Sequence, residues 1–181
     1  MTYSSSMPLG VVIARHDVDS PWQDHVWRPA AVLLGAPPVD EWRELARGQG
    51  WVQYLAANAT VELHRKETEA YKFNLEGEEP VLYVVLAADD DPESPHEVRV
   101  SKVTASPFEA QDYLDSGEEI VEPVPMPEAM VEWLADYIAE HHVEEKFKKR
   151  KRDEVKIEDY KFGQEPIHEV RRRMAGQDND G

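Results

Sequence analysis

Met130, Trp133, Leu134, Tyr137, Ile138 and His141 recur at steps of three and four, which places them on one stripe of an amphipathic helix. A helix in a protein draws most of its stability from what its apolar face is packed on, so this stripe needs a cover. The chain before it supplies one, a succession of short β-like segments. The helix is expected from Pro127 to about Lys149. Its early residues are acidic (Glu128, Glu132, Asp136) and its last ones basic (Lys146, Lys148, Lys149), as the helix dipole favours.

Leu9 to Arg15 is a β-branched run and predicts a strand. Trp22 to Leu34 carries Val26, Ala30, Val32 and Leu34 on one parity, and Pro29 makes it an edge strand or one with a bulge. Asp40 to Arg47 predicts two helical turns between Asp40 as cap and Gly48 as stop. From Gly50 the pattern turns strand-like, with a turn expected at Asn58. Val61, Leu63 and Arg65 alternate with polar residues, and so do Tyr71, Phe73 and Leu75. Val81 to Ala88 is almost wholly apolar and reads as a central strand. His96 to Thr104 alternates again.

Ser106 caps a short helix, with Pro107 at its first position, Glu109 three residues after the cap, and Gly117 as its end. Phe108 and Leu114 are the residues expected on its inner face. An acidic link with three prolines, Pro123, Pro125 and Pro127, leads on to the long helix. The fold class is therefore α+β: about six or seven strands in a small antiparallel barrel or sandwich, closed by a long C-terminal helix. Its order of elements resembles pleckstrin-homology-like barrels, an analogy without functional weight. The domain is expected over residues 9–149, after a flexible start (1–8) and before a charged tail with little to bury (150–181).

Charge separates body from tail. Residues 1–145 hold 29 Asp/Glu and 9 Lys/Arg, whereas residues 146–181 hold 8 and 11. So acidic a body repels phosphate backbones, and nucleic acid is not its expected partner. The chain has no cysteine, which excludes disulfides, thiolate metal ligation and thiol nucleophiles. No apolar run approaches the roughly 20 residues that span a bilayer, and no leader pattern opens the sequence, so a cytoplasmic protein is expected.

No pattern of residues predicts a catalytic centre. Glu140, His141 and His142 are adjacent on a helix, where neighbouring side chains diverge by about 100°, so they make a poor ligand set. His16, Asp17, Asp19 and His25 are acid/base candidates in a proline-bounded turn, where aspartates ordinarily bond the local backbone. No glycine-rich phosphate loop is present. No cofactor and no metal are expected. Candidate partner-binding residues fall into three groups. Trp22, Trp27 and Arg28 surround an aromatic turn, with one tryptophan expected in the core and the other at the surface. Asp112, Asp115, Glu118, Glu119 and Glu122 place five carboxylates in eleven residues. Lys148, Lys149 and Arg150 belong to a run of six basic residues in seven, 146–152.

Three blocks of sequence carry a resemblance. They are MPLGVVIARHDVDSPWQDHVWRPAAVLLGAPP, the run Leu63-His64-Arg65-Lys66-Glu67-Thr68-Glu69, and SPFEAQDYLDSGEEIVEPVPMP followed by HHVEEKFKKRKR. Over roughly Met7 to Arg152 the chain resembles the uncharacterised bacterial family known as domain of unknown function 3305. Genes of that family tend to stand beside those of molybdenum-dependent formate dehydrogenases and their maturation factors. The resemblance therefore implies an accessory protein whose partner is a formate dehydrogenase subunit or a maturation factor. Some such proteins are labelled as acting in molybdopterin-guanine dinucleotide biosynthesis, but the phosphate-binding turn that a nucleotidyltransferase needs is missing here. The expected function is non-enzymatic binding. The alternative is a cofactor-maturation enzyme using the region of His16, Asp17 and His25, which a spatial cluster with His64 favours. A third possibility makes the basic run a tether to nucleic acid or membrane.

Overall fold

The computed structural model describes residues 5–142. Strand β1 (Ser6–Asp17) pairs antiparallel with β2 (His25–Leu34) on one side and β4 (Trp51–Glu62) on the other. Strand β3 (Arg43–Gly48) adds to the far edge of β4, so the first sheet has the order β2-β1-β4-β3. The second sheet is centred on β5 (Val81–Ala88), between β6 (Val98–Thr104) and β7 (Ile120–Pro125). Helices α1 (Thr68–Leu75), α2 (Pro107–Ser116) and α3 (Glu128–His141) complete the described residues, with a 3-10 turn at Arg65–Glu67.

Period-two alternation sends Leu9, Val11 and Ile13 of β1 and Leu82, Val84 and Leu86 of β5 into one core shared by the two sheets. Met130, Leu134 and Tyr137 of α3 enter that same core and are buried, as the helical stripe predicts. Val85 points the other way. With Val121 it packs on Ala110, so α2 lies on the outer face of the second sheet.

The α+β class and seven strands match the expectation, but the two sheets stay open and form no closed barrel. Helices α1 and α2 also interrupt the strand order on which the pleckstrin-homology analogy rested. β2 is an edge strand, as Pro29 requires, and the pairing slips between Val12 and Ile13 opposite Ala31 and Pro29. β1 begins at Ser6, earlier than Leu9.

Five expectations need correction. The helix predicted over Asp40–Arg47 is strand β3, because Gly50, at φ 80°, turns it back against β4 in a hairpin. Pairing there overrides a helix-favouring composition. The strand predicted through Tyr71, Phe73 and Leu75 is α1, whose buried residues Ala70, Tyr71 and Asn74 follow helical spacing. Asn58 makes no turn: inside β4 its Nδ2 donates to Pro37 O at 3.1 Å and its Oδ1 accepts from Val39 N at 2.8 Å, holding the proline loop. Phe108 and Leu114 do not form the inner face of α2, since they are 50% and 48% exposed and Ala110 is buried instead. The acidic link is partly a strand: its residues Ile120–Pro125 are β7. The expected continuation of α3 to Lys149 and the tail from 150 lie outside the described residues.

Candidate functional site

Ser106 fixes the phase of α2. Its Oγ accepts from Glu109 N at 3.2 Å and donates to Glu67 Oε2 at 2.9 Å, so the cap also ties α2 to the turn before α1. Glu109 does not reach back to the cap. It accepts from Thr104 Oγ1 at 2.7 Å and pairs with Lys102. Gly117 at φ 70° ends the helix in a left-handed cap. With Ala110 inward, Phe108, Asp112 and Asp115 follow one another at steps of four and three along the outer surface. Phe73 of α1, 62% exposed, meets Phe108 at a ring-centroid distance of 6.1 Å. The result is a surface with an exposed aromatic pair at one end and carboxylates at the other.

The structure brings only part of the predicted acidic set together. Asp112, Asp115 and Glu118 are exposed. Gln111 Nε2 donates to Asp115 Oδ1 at 2.8 Å. Glu119 is half-buried, and its Oε2 has no hydrogen-bond partner. Glu122 lies on β7, 4.0 Å from Arg28 of β2, so this pair bridges the two sheets. Asp115 stands in the last turn of α2 and Asp112 one turn before it, and the last turn holds no basic residue. Carboxylates at that end oppose the helix dipole.

The early aromatic turn divides as expected, with Trp22 91% exposed and Trp27 buried. Trp27 meets His25, Trp42 and His96 edge-to-face, and His96 stacks on Trp42 at 3.7 Å and 13°. Burial holds the His96 imidazole below its ordinary range, against the opposing charge of Asp89. His25 Nε2 lies 3.3 Å from Glu97 Oε1. His16 and His25 are close on β1 and β2, where Asp17 faces His25. His64 follows β4 at the opposite end of β1, where Ser6 faces Glu62. Among the described residues no three His, Asp or Glu side chains are grouped to hold a metal ion.

At the His64 end an open cleft of about 470 Å³ is lined by Leu63, His64, Arg65, Lys66, Tyr137 and His141, together with Ser5. Its turn is firmly held. His64 N donates to the buried Tyr71 hydroxyl at 3.0 Å, and Thr68 Oγ1 donates to Arg65 O at 3.2 Å. His142 Nδ1 lies 3.0 Å from the same Thr68 Oγ1. Burial pushes the Tyr71 phenol up to about 12, and it raises that of Tyr137 against the pull of Arg65.

The Phe73–Phe108 pair and the cleft escape a reading of the sequence alone. Phe73 is disguised by a false strand alternation. The cleft did leave a signal, because Arg65-Lys66 is the sole adjacent pair of basic residues in 1–145. Lys148, Lys149 and Arg150 lie outside the described residues.

Two open antiparallel sheets around one core, with helices at one end and on an outer face, define an α+β domain whose conspicuous features are surfaces and an open cleft. The chain belongs to the family described as a protein of unknown function (DUF3305), whose family model matches residues 8–151. No curated protein and no solved structure matches it. No helix among the described residues is long and apolar enough to cross a membrane.

Proposed function

We propose that this chain is a non-enzymatic binding module that assists the assembly or maturation of a molybdenum formate dehydrogenase, docking a basic segment of that enzyme or of its maturation factor on the outer surface of α2. The observation that carries the binding part is the placement of Asp112 and Asp115. Asp115 sits in the last turn of α2, where a carboxylate costs stability, and with Asp112 it shares a surface with the exposed Phe73–Phe108 contact. Large apolar side chains beside charges that stability does not favour are the pattern of a surface kept for a partner. A body with 29 carboxylates against 9 cations steers a basic partner towards it. The formate dehydrogenase part rests on the family resemblance and its gene neighbours.

The experiment is affinity capture of the full chain from cells expressing formate dehydrogenase, with mass spectrometry of co-eluting proteins. The comparison variant is Phe73→Ser/Phe108→Ser/Asp112→Asn/Asp115→Asn. A formate dehydrogenase subunit or maturation factor held by the parent and lost by the folded variant supports the proposal. Equal recovery with both removes α2 as the docking surface, and recovery of neither class of protein removes the assignment of partner.

A further inference from the structure

We propose that the cleft between the β4–α1 turn and α3 is a binding site for a phosphate-bearing small molecule. Arg65 and Lys66 take the phosphate oxygens, and Tyr137 and His141 flank the rest of the ligand.

The first argument is the economy of charge. Residues 1–145 contain 9 Lys/Arg among 29 Asp/Glu. Arg28, Arg47, Lys72 and Lys102 each face a carboxylate. Arg15, Arg43, Arg65, Lys66 and Arg99 have no ion-pair partner among the described residues, but of these only Arg65 and Lys66 are neighbours in the chain and line the cleft, although carboxylates lie near. Glu67 accepts from Ser106 Oγ, and Glu140 Oε2 stands 3.6 Å from His141 Nε2. Two adjacent exposed cations left unneutralised in so acidic a body are available for an anion from solution. A guanidinium and an ammonium that line one cleft suit a phosphate, which accepts several charge-assisted bonds at once.

The second argument is preorganisation. The backbone of the cationic turn is fixed by Tyr71 and Thr68, both buried. Little backbone entropy is then lost in holding a ligand. The third is size. At about 470 Å³ the cleft exceeds what a bare phosphate fills and lies within the roughly 300–1,000 Å³ of small-molecule sites. Leu63 gives it an apolar wall, and the rings of Tyr137 and His141, with centroids 4.4 Å apart, give it an aromatic one. A polyanion is disfavoured, because an acidic peptide or a nucleic acid extends beyond the cleft over the acidic body. A small phosphate stays within about one Debye length, roughly 8 Å, of the two cations.

The test is a titration of the isotope-labelled full chain with pyrophosphate, adenosine monophosphate and an oligoglutamate peptide, followed by amide NMR shifts. The expected result is saturable movement of the amides of 63–66 and 137–141 with pyrophosphate or the nucleotide. In Arg65→Gln/Lys66→Gln, checked for an unchanged melting temperature, affinity should fall at least about tenfold, as the loss of charge-assisted bonds implies. Lys66→Gln alone gives a smaller loss and serves if the double variant melts early. Four outcomes overturn the proposal: no movement with either phosphate, movement confined to residues 146–152, affinity unaltered by the substitutions, or binding of the peptide in preference to both phosphates.

Discussion

Asn74 donates from Nδ2 to the carbonyl oxygen of Ala105 at 2.8 Å, across 31 residues of chain. The same amide donates to Val81 O at 2.7 Å and accepts from Val81 N at 3.0 Å. One buried side chain at the end of α1 thus ties the start of β5 to the segment that follows β6. It also satisfies three backbone groups that would otherwise be left in a dry site.

Asn74→Ala should therefore destabilise far more than its loss of volume suggests, by about 2–4 kcal/mol, since buried groups lose their partners. Urea unfolding of the two proteins measures it. A cost below about 1 kcal/mol would mean that water replaces the amide and that α1 is not the clamp described.

The packing of α3 gives a second expectation. Leu134 is buried in the shared core, whereas Asp136 on the same helix is exposed. Leu134→Ala should cost about 2–5 kcal/mol through lost burial and a residual cavity, and Asp136→Ala should change stability by less than about 0.5 kcal/mol. Similar thermal unfolding for both variants would contradict the insertion of α3 into the core.

How far the sequence discloses this structure depends on whether local pattern and tertiary demand agree. They agree at Val81–Ala88, at the Ser106-Pro107 cap and on the stripe of α3, and these elements are where the residues indicate. They conflict at Arg43–Gly48, where helix-favouring residues are drawn into a hairpin by the Gln49–Gly50 turn and by pairing to β4. At Tyr71–Leu75 five alternating residues fit a strand and a helix equally well, and only the bonds of Asn74 show which applies. The acidic surface was legible as composition, but its division was not. Glu122 faces Arg28 across two strands far apart in sequence, and no spacing rule reaches that distance. The cleft joins residues 63–66 to 137–141, so its cations could be seen in the sequence but their aromatic neighbours could not.

The stacked His96 predicts a pH dependence. Burial depresses its folded pKa, so the unfolded chain takes up the proton first. The contribution of His96 to stability is complete above its unfolded value of about 6.5 and is lost as pH falls through the depressed folded value. His96→Leu removes the titrating ring. Melting temperatures measured from about pH 7.5 down to about pH 5 should fall more steeply for the parent than for this variant. Parallel curves would show that His96 does not drive the acid limb.

Asp115 separates the needs of the fold from those of binding. It stands in the last turn of α2, where the unsatisfied carbonyls make the helix end negative and no basic side chain compensates. Asp115→Asn removes the charge and keeps the size and an acceptor for Gln111, whose bond to Oδ1 is 2.8 Å. Stability should accordingly rise, by about 0.3–1 kcal/mol at low salt, and the gain should shrink as salt screens the dipole. Under the proposed docking of a basic segment on this surface, the same substitution should weaken capture and make what remains less sensitive to salt. The pairing of gain with loss is the informative result. A variant that is more stable and captures its partner as well as the parent would leave Asp115 as an unoptimised surface charge, and one that is less stable would show that the Gln111 bond outweighs the dipole.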